Sequence, residues 1–199
     1  MGGTMSIAPY PDWIRPPAGG YTAEDLDRLP DLPPHTELLD GSLIFVSPQT
    51  IFHLLAVRQL EFALVAAVPP GWVAWREMMV TLDRRNRLEP DLLVVDKRAQ
   101  TGPKGRKGTS CRPEDVLLAV EVVSDESQER DRDAKPRKYA AAGIAHFWRV
   151  EDDDEGRPVV YVYELDPATR AYGLTGIYHK QLKVDRPFPI EVELIDTSE

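Results

Sequence analysis

The chain is poor in the residues that staple small folds or build soft-metal cages. A single cysteine, Cys111, excludes an internal disulfide and a cysteine-based zinc site. Four histidines, at positions 35, 53, 146 and 179, show no ligand spacing. No stretch of eighteen apolar residues is available to cross a membrane, and no basic region followed by an apolar one opens the N-terminus. These absences point to a soluble protein of the reducing cytoplasm. Positive charge is outnumbered, 24 Lys and Arg against 33 Asp and Glu. A formal net charge of −9 argues against coating nucleic acid by bulk electrostatics, although it leaves room for a local basic track.

With 199 residues, 42% of them hydrophobic and 29% charged, the chain is long enough for one domain with a substantial core. Residues 1–20 carry four prolines, two of them adjacent, and no periodicity, so they read as an irregular or disordered arm. Residues 21–199 read as a single domain. Met5 is an alternative start.

Thr22 with Glu24 and Asp25 forms a helix-start signature, and Pro30 and Pro33-Pro34 keep that helix short. Residues 37–46 read as a hairpin turning at Asp40-Gly41. From Gln49 to Ala67, His53, Val57, Leu60 and Leu64 share one helical face. Residues 72–82 read as one strand, 91–95 as another, and 97–113 as a long mobile loop. Val116 to Val123 is an apolar strand, and Pro136 with Gly143 brackets a helix. Strands follow at 144–150 and 159–165, and the tail adds more, with Pro187 and Pro189 at an edge. The order predicts an α/β (α+β) fold, a mixed sheet with helices against it and extra antiparallel strands at the C-terminus.

The chemistry concentrates in the middle of the chain. Glu121 is the one charged residue in the Val116 to Val123 run, which has the continuous apolar character of a strand covered on both faces. Burying a carboxylate there costs several kcal/mol unless a cation and hydrogen bonds hold it. Asp91 opens a second apolar run straight after Pro90. Two acids on two strands make a candidate site for a hard cation, and each has a plainer reading. Glu121 could form a structural ion pair with Lys135 or an arginine, and Asp91 could be a strand-entry hydrogen-bond acceptor. An acid/base pair of a glycosidase would need aromatic side chains lining a sugar cleft, and nothing near either carboxylate supplies them.

Taken together, ELLDGSLIFVSP, the histidine-bearing helix, EPDLLVVD, LLAVEVVS and DRDAKPRKYAAAGIAHFW resemble the Uma-type putative restriction endonuclease family of the PD-(D/E)XK nuclease superfamily. The resemblance covers residues 22–195 in order and spacing. It implies a restriction-endonuclease-like core and hydrolysis of DNA phosphodiester bonds with Mg2+ or Mn2+. By position, Asp91 and Glu121 are the metal-holding acids, with the backbone carbonyl of Val122 a third ligand. The superfamily's lysine falls at Val123 here, and the resemblance moves that role to Lys135 on the next helix, within a D-x-x-x-K spacing from Asp131.

Glu37, His53 and Asp131 are accessory candidates, each with a structural alternative: an exposed strand acid, a core histidine, a helix start. Tyr139 and Trp148 read as core aromatics rather than base-stacking platforms. Lys104, Arg106, Lys107, Arg132 and Lys138 are candidate phosphate contacts, or an ordinary solvated surface. A homodimer is expected, because cutting a symmetric duplex suits a two-fold pair. The competing reading is a non-catalytic nucleic-acid-binding or assembly module that keeps the nuclease fold, motivated by Val123 and the acidic charge.

Overall fold

A computed structural model describes residues 14–101, 108–153 and 155–194. Most of the N-terminal arm lies outside these residues, as do Lys104, Arg106 and Lys107.

The frame is a six-stranded sheet in the order β11-β10-β9-β8-β6-β3. Its strands are β3 (Trp72–Arg76), β6 (Leu92–Asp96), β8 (Val116–Val122), β9 (His146–Asp152), β10 (Pro158–Asp166) and β11 (Ala171–Tyr178). Neighbours are antiparallel except β8 and β9, which run parallel because the helix α2 (Lys135–Ala142) carries the chain across between them. A second sheet, in the order β2-β1-β5-β4-β7, holds β1 (Glu37–Leu39), β2 (Ser42–Ile44), β4 (Met79–Asp83), β5 (Asn86–Leu88) and β7 (Ser110–Cys111). The tail forms a hairpin of β12 (Gln181–Val184) and β13 (Ile190–Glu193).

Alternation along the central strands explains why this sheet is covered on both faces. Leu118, Val120 and Val122 of β8, with Leu92 and Val94 of β6, pack against the helix α1 (Ile51–Ala67) through Ala56, Val57, Leu60 and Leu64. Leu182 and Ile190 of the tail hairpin close the same core. The opposite residues, Ala119 of β8 and Leu93 and Val95 of β6, meet Tyr139 of α2 together with Val80 and Leu88 of the second sheet. Glu121 follows Ala119 by two positions, so the pleat turns its carboxylate toward α2.

The local signals act much as their chemistry dictates. Thr50 Oγ1 accepts from the His53 N–H at 3.2 Å and caps α1. Gly143 ends α2 at φ +89, a left-handed conformation that favours glycine. The 37–46 hairpin turns at Asp40 and Gly41, both at positive φ. A Cβ at Gly41 would meet the Arg85 guanidinium at 2.7 Å.

Two expectations are corrected. The span 72–82 is two strands in different sheets, β3 and β4, broken at Glu77, which sits at φ +50. The Glu77 N–H donates to the Asp91 carbonyl at 3.2 Å instead of continuing a strand ladder. The helix expected from Thr22 is a three-residue 3-10 turn, Asp25–Asp27. There the Asp25 carboxylate takes both the N–H and the hydroxyl of Thr22, each at 2.8 Å, so Thr22 does not cap a longer helix.

Candidate active site

The end of β8, the start of β6, strand β1 and the N-terminal half of the α2 segment meet at a cleft of about 660 Å³. Glu37, Asp91, Glu121, Asp131, Lys135 and His53 all line it. Their elements place them there for different reasons.

Lys135 enters from the first turn of α2. Its Nζ lies 3.0 Å from Glu121 Oε2, 3.1 Å from Glu37 Oε1 and 3.3 Å from Asp131 Oδ1. The three acids are each 2% exposed and the lysine 6%. Three carboxylates against one ammonium leave an excess of negative charge in a place where ions are costly to bury. Burial pushes the Glu121 carboxyl well above its ordinary range; Lys135 pulls it back, while Asp131, Asp91 and Glu37 push it further up. For Lys135, burial acts to lower the pKa, but the surrounding carboxylates outweigh it, so the ammonium is held charged.

Tyr139, one helical turn beyond Lys135, donates its hydroxyl to Glu121 Oε1 at 2.5 Å. Its phenol is raised well above the usual value, by burial first and then by the Glu121 and Glu37 charges. Both Glu121 oxygens therefore have partners. The ring of Tyr139 also belongs to the core and lies 6.0 Å from that of Phe147, so its apolar body packs while its hydroxyl serves the site. Trp148 is wholly buried, as read.

Asp91 is the more open acid, with its side chain 14% exposed. Its Oδ2 accepts from the Val122 N–H at 2.6 Å, and its Oδ1 lies 2.9 Å from His53 Nε2. The first bond ties the start of β6 to β8, one residue past Glu121. The second draws on α1, where the shared face of His53, Val57, Leu60 and Leu64 turns the imidazole inward with the core.

The structure thus brings Asp91, Glu121, Lys135, Glu37, His53 and Asp131 to one cleft. It does not bring Arg132 or Lys138 there. Arg132 Nη2 pairs with Glu151 Oε2 at 2.6 Å, and Lys138 pairs with Asp40. Val123, at the superfamily's lysine position, is a buried apolar residue whose N–H donates to the Val150 carbonyl at 2.8 Å.

Arg130, one of the basic residues of the 130–138 segment, also lines the cleft, as do Glu89 and His35, which escape the sequence reading. The Glu89 N–H donates to Glu37 Oε1 at 2.7 Å, and its carboxylate lies 3.2 Å from His35 Nδ1. Burial raises the Glu89 carboxyl, against the lowering pull of His35. Its place two residues before Asp91 was a usable signal, since an extended chain turns such residues to the same side.

Every side chain suited to a cation here is an oxygen donor or an imidazole, and none is a thiol. That donor set fits a hard divalent ion such as Mg2+ or Mn2+. The buried excess of carboxylates is what such an ion would balance. Among the described residues no three His, Cys, Asp or Glu side chains already converge as a ligand set, so the ion would have to take over bonds now made to Lys135, Tyr139 or His53. Likewise, no helix among the described residues is long and apolar enough to cross a membrane.

No curated protein matches the chain by sequence. Among solved structures it is similar to "a putative nuclease belonging to DUF820 from Anabaena variabilis ATCC 29413" at a TM-score of 0.60 and 17% identity. That alignment covers 83% of this chain and 89% of the other, a likeness of fold. A family profile described as "Putative restriction endonuclease" matches residues 23–197, and the chain therefore belongs to the Uma2 family.

Proposed function

We propose that the chain is a divalent-metal-dependent endonuclease that hydrolyses DNA phosphodiester bonds, with residues 21–199 acting as one catalytic unit. The observation that carries this reading is the lysine of α2 standing 3.0 Å from the strand glutamate, in a pocket with more buried carboxylates than it can neutralise.

Asp91 and Glu121 would hold the ion, Mg2+ or Mn2+. The carbonyl of Val122 would be a third protein ligand, because an extended residue points its N–H and C=O to the same side and this N–H already faces Asp91. When bound, the ion polarises the phosphoryl oxygen and lowers the pKa of a coordinated water. His53 fixes the rotation of Asp91. Tyr139 and Asp131 orient Glu121 and Lys135, and Glu37 holds the ammonium from the other side. Lys135 keeps its proton and presents positive charge to the attacking water or to the phosphate. A homodimer acting on both strands of a duplex completes the proposal.

The test is cleavage of supercoiled plasmid with magnesium or manganese, abolished in Asp91→Ala. Well-folded protein that leaves DNA intact with every divalent metal would count against it. The alternative, a non-catalytic nucleic-acid-binding or assembly module, is favoured by the bonds that already occupy both oxygens of Glu121 and both of Asp91. It predicts no manganese affinity, so saturable calorimetric binding of manganese rejects it.

A further inference from the structure

Basic side chains lining the cleft are few, and most have an acidic partner. Lys135 is enclosed by three carboxylates, His35 faces Glu89, and His53 faces Asp91. A polyanion approaching this acidic wall needs a second positive group beside Lys135, one with no carboxylate partner of its own. Arg130 is that group. It lines the cleft, makes no ion pair among the described residues, and has a buried Nε with no hydrogen-bond partner. Its basic neighbours differ: Arg132 is paired with Glu151, and Arg137 with Asp133.

The backbone explains why Arg130 and Asp131 both reach the cleft. Residues Arg130–Ala134 form a π-helical turn directly ahead of α2, which widens the turn and shifts its side chains relative to an α-helix. Asp131 is thereby committed to Lys135 and Arg130 is left over. A buried guanidinium N–H without an acceptor is costly, and a planar fork of donors matches the non-bridging oxygens of a phosphodiester better than a point charge does.

We propose that Arg130 is a substrate-binding residue that receives a backbone phosphate of the nucleic acid in the cleft. The inference rests on the nuclease reading above and names the group that lets an acidic site accept an anionic substrate.

The experiment measures binding of a short labelled DNA duplex by fluorescence anisotropy, with calcium in place of magnesium, across a salt series. The proteins are wild type, Arg130→Ala, Arg130→Lys and, as a control for bulk charge, Lys183→Ala. Lys183 lies on β12 and pairs with Glu191. Arg130→Ala should weaken binding about tenfold. It should also reduce the slope of log affinity against log salt by about one. Arg130→Lys should recover the slope and only part of the affinity, and Lys183→Ala should change neither. If Arg130→Ala does not fold, Arg130→Gln keeps the apolar stem and is read in its place.

An Arg130→Ala protein with wild-type affinity and slope overturns the inference, as does an equal loss in Lys183→Ala. Wild type that cleaves plasmid while Arg130→Ala binds like it overturns the role of Arg130 alone. Wild type that binds duplex without cleaving it overturns the nuclease reading and leaves the salt slope to decide Arg130. Wild type that does not bind overturns both.

Discussion

Lys135 Nζ stands 3.0 Å from Glu121 Oε2, although one residue belongs to a helix and the other to a strand fourteen positions earlier. Two further buried acids, Glu37 and Asp131, lie within 3.3 Å of the same ammonium. Removing the ammonium therefore leaves a cluster of like charges with nothing to balance it. Lys135→Met should cost about 3–5 kcal/mol of stability, the usual penalty for stripping one partner from a buried ion pair. Millimolar manganese should recover part of that loss, because a divalent ion can replace the missing charge. Urea titrations with and without the metal measure both effects. A midpoint indifferent to manganese in both proteins would mean that the carboxylates do not bind it.

Tyr139 gives a second, smaller test of the same pocket. Tyr139→Phe keeps the ring against Phe147 and leaves Glu121 Oε1 without its donor. The expected cost is about 1–3 kcal/mol. Cleavage should fall as Glu121 loses its fixed orientation. A variant as stable and as active as wild type would remove Tyr139 from the site.

His53 and Asp91 separate orientation from ligation. His53→Ala leaves Asp91 bonded only to the Val122 N–H, so the acid remains but rotates more freely. Its cleavage should drop and recover partly as manganese is raised, whereas Asp91→Asn should stay inactive at every metal concentration. Plasmid cleavage over a manganese series reads the difference; identical behaviour of the two variants would contradict the assigned roles.

High pH should destabilise the fold in a defined direction. Burial pushes the Cys111 thiol up to about 12, and Tyr139 is raised well above its ordinary value by burial and by Glu121. In the unfolded chain these groups release protons near their ordinary values of about 8.5 and 10. The folded state then holds more protons than the unfolded state, so stability present below pH 8 declines as pH rises through 9 and beyond. Cys111→Ala should make that decline shallower between pH 9 and 11 by chemical denaturation. Native Cys111 should also resist thiol reagents at pH 8 that modify it at once in urea; fast reaction in the folded protein would refute its burial.

Much of the fold and of the site could be read from residue patterns. The shared face of His53, Val57, Leu60 and Leu64 on α1, Asp40-Gly41 in the hairpin, and Pro136 and Gly143 around α2 are local signals, and they act over a few turns of chain. The charge within the Val116 to Val123 run marked Glu121 as a residue needing a cation, and the family resemblance pointed to Lys135 and Asp131, whereas the hydroxyl of Tyr139, read only as a core aromatic, joins the site through the fold. The break at Glu77 was not legible, because the residues on either side have the same strand character and only pairing with different partners separates them.

What the sequence determined by itself was the identity of the charged groups and the elements that bear them, since periodicity and end signals depend on near neighbours. Which charges meet was decided by tertiary structure alone. Glu37, Glu89 and Arg130 join the cleft, and Arg132 and Lys138 leave it for Glu151 and Asp40, because a long side chain takes the nearest opposite charge that packing supplies. No spacing along the chain encodes that choice.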